Sequence, residues 1–131
     1  MPSSVESVSR IRLQILICDE KVLDAEFIRH LSPLTINKLL KRMPISGLIY
    51  KYDDKFIYVK TDLDIGIEKP RDSFNRGDIA FSPSGNFITI FLKDYLVGQK
   101  FSLLGNITSA NIDLLLYAKP GDILTIRKLE E

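Results

Sequence analysis

Apolar residues fall at every second position in run after run of this chain, and the runs are short and separated by turn-forming residues. Ile11, Leu13, Ile15 and Ile17 alternate with Arg12, Gln14, Leu16 and Cys18, and after Asp19-Glu20-Lys21 the alternation resumes through Val22-Leu23-Asp24-Ala25-Glu26-Phe27-Ile28. A period of two belongs to a strand with one well-buried face, and two such runs across a short polar break predict a hairpin. Ser46 to Tyr52 and Lys55 to Lys60, aromatic and β-branched, flank Asp53-Asp54 as a second hairpin. Asp78 to Phe81 and Phe87 to Leu92 flank Pro83-Ser84-Gly85-Asn86, a turn composition, as a third. Phe101 to Ile107 and Ile123 to Arg127 complete eight or nine strands, and residues 61–77 read as a polar loop.

Helical spacing interrupts this pattern in one place with clarity. Ser32-Pro33 puts a capping hydroxyl before a proline at the first helical position, and Ile36, Leu39, Leu40 and Met43 recur at helical spacing until Pro44. Its other face, with Lys38, Lys41 and Arg42, reads as solvated. A second short helix, capped by Ser109, is expected through Leu116. Arg76-Gly77-Asp78-Ile79 and Pro120-Gly121-Asp122-Ile123 echo each other as similar turns at strand entries. Many short strands around one or two helices imply a mainly β domain, a closed barrel or a sandwich, and closure would remove exposed strand edges. The Ser-rich residues 1–9 are expected to be a flexible N-terminal segment, and residues 10–131 a single domain.

Composition narrows the function classes. Eighteen basic and 17 acidic residues leave a net charge of +1, with no field of one sign to attract nucleic acid or an anionic membrane. No apolar run approaches the roughly 20 residues that span a bilayer, no signal-peptide pattern opens the chain, and one cysteine cannot form an internal disulfide, so a cytoplasmic location is expected. Cys18 and His30 are the one candidate nucleophile pair, but the first hairpin would hold them some 26 Å apart, at about 3.3 Å per strand residue. Cys18 reads instead as a small packed side chain. Asp62-Leu63-Asp64 with Glu68 and Asp72 begins like a calcium loop, yet its glycine is one position early and Ser73 stands where the closing glutamate belongs. No metal, no cofactor and no phosphate-binding loop is expected. The aromatic residues Phe81, Phe87, Phe91 and Phe101, with Tyr50, Tyr52 and Tyr58, could line a groove, although the phenylalanines as a set read better as core filling.

Residues 77–92, GDIAFSPSGNFITIFL, and 94–107, DYLVGQKFSLLGNI, resemble the second half of a cyclophilin. Gly77, Asp78, Phe81, Pro83, Gly85 and Asn86, with the stretch from Lys41 to Pro44, resemble more closely a pattern of small, uncharacterised prokaryotic cyclophilin-like proteins. The resemblance implies a closed eight-stranded cyclophilin-like barrel. It also implies a candidate ligand groove involving Phe81, Ile88, Ile90, Phe91, Tyr95, Lys100 and Phe101. The departures bear on activity. Cyclophilin isomerases use a Phe-His-Arg strand motif whose arginine hydrogen-bonds the prolyl amide, whereas the matching hairpin here reads Phe56-Ile57-Tyr58-Val59-Lys60, and no Gln-Gly-Gly follows. Without that donor, electrostatic stabilisation of a twisted amide is lost. The expectation is therefore a binding module for a small molecule, peptide or protein, with no catalytic residue assigned. The alternatives are a weak prolyl isomerase using Lys100 or Arg71, and an interaction subunit of a larger enzyme; a homo-oligomer is left open.

Overall fold

The computed structural model describes residues 9–129, so most of the expected flexible segment at 1–9 lies outside the described residues. The strands are β1 (Arg10–Ile17), β2 (Glu20–Ile28), β3 (Ile45–Leu48), β4 (Tyr50–Tyr52), β5 (Phe56–Lys60), β6 (Arg71–Phe74), β7 (Asp78–Ser82), β8 (Phe87–Phe91), β9 (Tyr95–Ile107) and β10 (Ile123–Lys128). An α-helix, α1 (Pro33–Arg42), and two 3₁₀ segments, Arg29–Leu31 and Ile112–Tyr117, lie between these strands. Among the described residues no helix is long and apolar enough to cross a membrane.

The three expected hairpins form, β1 with β2, β4 with β5 and β7 with β8, all antiparallel. The sheet runs β3-β10-β1-β2-β9-β7-β8-β5-β4, with β6 attached to β9. This corrects the expectation of a closed, eight-stranded barrel: among the described residues there are ten strands, and hydrogen bonds do not close the sheet. The two ends of the path, β3 and β4, are one stretch of chain divided at Ile49. Ile49 donates its N–H to the Asp122 carbonyl at 2.8 Å and accepts from Gly121 at 3.1 Å, so the segment first serves β10 and then turns to β5. At this seam a Cβ on Gly47 would stand 3.4 Å from both Val59 Cβ and the Lys60 carbonyl oxygen, which is van der Waals contact in place of a ladder.

Inside the sheet, Leu13, Ile15, Leu23, Phe27, Ile57, Ile79, Phe81, Ile88 and Leu124 pack into one buried cluster, and α1 adds Ile36 and Leu39 to it. Several local expectations change. Ser32 does not cap α1 with its side chain; its Oγ donates to the Leu103 carbonyl at 2.8 Å. Glu68 caps the helix instead, accepting from the N–H of Leu34 at 3.2 Å and of Thr35 at 2.7 Å. Ser109 likewise caps nothing, because its Oγ accepts the Asp24 N–H and the second 3₁₀ segment starts after Asn111. Cys18 is exposed rather than packed: it and Asp19, at φ 50° and 71°, form the two-residue turn between β1 and β2, a left-handed pair typical of such hairpins. The two Gly-Asp-Ile echoes are the same turn. Gly77 and Gly121 both sit at φ 95°, and the following Asp78 and Asp122 accept the N–H of Asn75 and Lys119 at 2.8 and 2.9 Å.

Candidate functional site

The strands β5, β8 and β7 carry apolar side chains on both faces. Ile57, Val59, Ile88, Ile90, Ile79 and Phe81 point into the main core, so period two sends Phe56, Tyr58, Phe87, Thr89, Phe91, Ala80 and Ser82 to the opposite face. That outer face is partly covered by a second layer. The first half of β9 leaves the main sheet to pair with β6, where the five steps from Leu96 to Phe101 stand against the two steps from Ser73 to Arg71. Phe74 of β6 and Phe101 of β9 close over Phe91 and Ala80 in a second buried cluster, with Phe74 stacked on Phe91 at 4.7 Å and 9°.

Beside this aromatic plug the two layers do not meet, and an open cavity of about 410 Å³ lies between them. Tyr52, Phe56 and Tyr58 form one wall, Tyr95, Val97, Gln99 and Phe101 the other, and Phe87, Thr89, Ser82 and Ser84 the floor and one end. The rings brace one another: Tyr58 meets Phe87 edge-on at 4.7 Å, Tyr52 stacks on Phe56 at 5.1 Å and Tyr50 backs Tyr58 at 5.3 Å. Such offset and edge-on contacts hold ring positions beyond what area burial alone would do. The lining carries no charged side chain. The nearest cation to be placed on a ring is Lys55, whose Nζ lies 5.8 Å from the Tyr95 centroid. The neighbouring Tyr52 hydroxyl holds the Tyr95 phenol above its ordinary ionisation range.

The residues expected in the groove divide three ways. Tyr95 and Phe101 line the cavity. Phe91 is fully buried beneath it, and Phe81, Ile88 and Ile90, at most 2% exposed, belong to the main core on the other side of the sheet. Lys100 is exposed and pairs with Asp72 at 3.3 Å, away from the lining. Arg71 does not line the cavity either; its guanidinium lies over the Phe74 ring, 5.9 Å from the centroid. Cys18, in the turn, and His30, in the 3₁₀ segment beyond the open end of the same hairpin, stay apart. Asp62 pairs with Arg42 at 2.7 Å, and among the described residues no group of three or more His, Cys, Asp or Glu could hold a metal ion. Of the aromatic residues that could line a groove, Tyr52, Tyr58 and Phe87 do line the cavity; the lining residues missed are Phe56, Ser82, Ser84, Thr89, Val97 and Gln99, and for Phe56 and Thr89 the shared strand phase with Tyr58 is the signal that marks them.

A family model described as cyclophilin-like matches residues 10–124. No curated protein matches the chain in sequence. Among solved structures the chain is similar to the hypothetical protein AF2241 from Archaeoglobus fulgidus, with a TM-score of 0.73 and 19% identity over 92% of this chain and 96% of that one. It is similar also to McbB, solved in complex with tryptophan, with a TM-score of 0.73 and 13% identity over 91% of this chain; the match spans only 45% of McbB. The Mimivirus cyclophilin superposes with a TM-score of 0.53 and 12% identity, over 91% of this chain and 86% of its own. At these identities the likeness is one of fold.

Proposed function

The chain belongs to the cyclophilin-like family, and we propose that it acts as a binding module which takes a small, uncharged molecule with a flat apolar ring into the aromatic cavity between its two layers. The observation that carries this reading is a cleft of about 410 Å³, walled by braced aromatic rings and lined by no charged group. Its size falls in the range of small-molecule sites, roughly 300–1,000 Å³. A charged ligand would lose its hydration there without gaining a counter-charge. That McbB, part of which shares this fold, was solved in complex with tryptophan supports an aromatic ligand class for this cleft.

Prolyl isomerisation is not part of this reading. Neither of the two cations considered as stand-ins for the missing arginine reaches the lining, since Arg71 lies over Phe74 and Lys100 pairs with Asp72. Exchange between cis and trans forms of an Xaa-Pro peptide, followed by NMR with a true cyclophilin as control, is expected to stay at the uncatalysed rate. Acceleration that disappears in Arg71→Ala or Lys100→Ala would overturn the assignment. Binding itself is tested by titrating small aromatic probes and following the ring resonances of Tyr58 and Phe87, which are expected to shift.

One surface feature favours a second reading, that of an interaction subunit. Leu48, Tyr50 and Tyr52 expose alternate side chains along β3 and β4, and Ile123 stands across from Leu48, so an exposed apolar row runs up to the cavity mouth. Sedimentation of the purified chain across a concentration series checks it. A concentration-dependent dimer abolished by Leu48→Lys would establish the row as an interface, and a monomer throughout would leave the cavity as the functional feature.

A further inference from the structure

The cavity floor holds two hydroxyl side chains, on almost wholly buried residues, that open into the cavity and whose hydrogen bonding the protein does not complete. Thr89 is 1% exposed, sits between Tyr58 and Ala80 in the sheet, and no other described residue hydrogen-bonds its side chain. Ser82 is 3% exposed, and its Oγ has only the Ser84 Oγ at 3.4 Å, beyond the 2.5–3.0 Å usual for hydroxyl pairs. Buried polar groups in native folds are nearly always satisfied, because an unpaired one carries its whole desolvation cost. Both residues line the cavity, so a partner reaches them from what fills it: solvent in the free protein, ligand in the complex. Phe87 pairs with Ser82 across the hairpin as Thr89 pairs with Ala80. That makes Thr89 and Ser82 diagonal neighbours on one face, with side chains roughly 7 Å apart. A single polar edge of a ligand set against this face therefore meets one hydroxyl directly and has the other within reach of a bridging water.

Resting on the assignment of the cavity as a ring-binding site, we infer that its ligand is an uncharged aromatic ring with a single hydrogen-bonding edge, of the phenol or indole kind, seated with that edge on Thr89 and Ser82. The walls decide against rings that are polar all round. A sugar would bring hydroxyls against Phe56, Phe87, Val97 and Phe101, whose side chains offer them no partner. A wholly apolar ring would fill the walls and leave both floor hydroxyls unpaired, and a site of this kind rejects analogues that lack the matching group. Thr89 and Ser82 are thus specificity-determining residues, while the aromatic rings supply the bulk of the affinity.

The test compares matched pairs of probes, phenol against toluene and indole against indene, titrated into the protein and read by NMR shifts of the cavity rings. The wild type is expected to bind the polar-edged member of each pair at least about tenfold more tightly. Thr89→Val keeps the β-branched shape and removes the hydroxyl. It is expected to bring each ratio to within about twofold, with toluene and indene affinities unchanged, and not to lower the melting temperature, since no protein hydrogen bond is lost. Ser82→Ala provides the second variant, with the same direction of effect. Equal affinities within each pair in the wild type, or ratios preserved in both variants, would overturn the inference and leave the ring-binding assignment standing. Failure of all four probes to shift any cavity ring would overturn both.

Discussion

The two faces of the β5-β8-β7 sheet are made by alternate residues of the same three strands, yet one is closed and the other open. The inner face is mostly aliphatic: Ile57, Val59, Ile79, Ile88 and Ile90 mesh with the rest of the main core and leave little of themselves exposed. The outer face is aromatic, with Phe56, Tyr58, Phe87 and Phe91, and its second layer is a two-stranded ribbon hung on β9. Branched aliphatic side chains interdigitate to close packing. Flat rings that brace one another edge-on hold their positions while keeping a gap between them. The difference assigns stability to one face and recognition to the other, and substitutions can be directed at each.

The largest effect is expected inside. Phe81→Ala empties the centre of the main core, where the ring is completely buried, and should cost about 3–5 kcal/mol in chemical denaturation. Probe binding on the opposite face should survive in whatever fraction remains folded. A loss below about 1 kcal/mol would mean that the two faces are not energetically distinct. An intermediate effect is expected where the outer layer is tied down. Glu68 caps α1 through Leu34 and Thr35, accepts the Thr35 hydroxyl at 2.8 Å, and donates its own N–H to Ser102 Oγ at 2.8 Å, just ahead of β6. Glu68→Ala should cost about 1 kcal/mol, the usual worth of a helix cap. Partial burial pushes the Glu68 carboxyl up, but the Thr35 N–H and hydroxyl and the Leu34 N–H outweigh it and hold it below its ordinary value. A carboxylate lowered in this way contributes stability above its unfolded-state value and loses it as pH falls through the folded one. The difference between wild type and Glu68→Ala should therefore shrink on acidification below the ordinary glutamate range; a difference independent of pH would remove the charged cap from the account.

The core-facing side of the β1-β2 hairpin was legible because Leu13, Ile15, Leu23, Ala25 and Phe27 alternate with other residues, which fixes both strand and facing. The helix was legible too, from Ser32-Pro33 to Pro44, although the cap that serves it comes from Glu68, thirty-odd residues away in sequence and invisible to local reasoning. The candidate site was hidden by the composition of β8. In Phe87-Ile88-Thr89-Ile90-Phe91 both faces are apolar, so alternation predicts a strand without saying which set points to the core, and Ile88 and Ile90 were expected in a groove they do not reach. The one mark of the outer face in that segment is Thr89, the polar member of an apolar run. The layer over it was equally hidden, since β6 reads Arg71-Asp72-Ser73-Phe74 with one buried apolar residue, and its pairing with β9 is set by tertiary contact. The seam at Ile49, which turns an expected closed barrel into an open path, likewise depends on a shift of partner within one continuous alternation.

The smallest expected change in stability tests the openness of the outer face most directly. A Cβ at Gly85 would fall 2.2 Å from Cε2 of Phe87 and within 2.8 Å of two further ring atoms, so Gly85→Ala must displace that ring. The obstacle is a partly exposed side chain that lines the cavity, and the three atoms nearest the added Cβ all belong to its ring. Gly85 also lacks the left-handed backbone found at Gly77, Gly98 and Gly121, so alanine brings no strain of its own, and the reduced freedom of the unfolded chain offsets part of the cost. Stability should stay within about 1 kcal/mol of wild type. The Tyr58 resonances, by contrast, should move, because its ring rests edge-on against Phe87 at 4.7 Å, and affinity for aromatic probes should change severalfold as one wall is redrawn. If Gly85→Ala instead destabilised the fold as much as Phe81→Ala, Phe87 would have to be a core residue, and the outer face would be a second core with an incidental gap. A near-neutral variant with altered binding would place the rings of this face in service of the cavity.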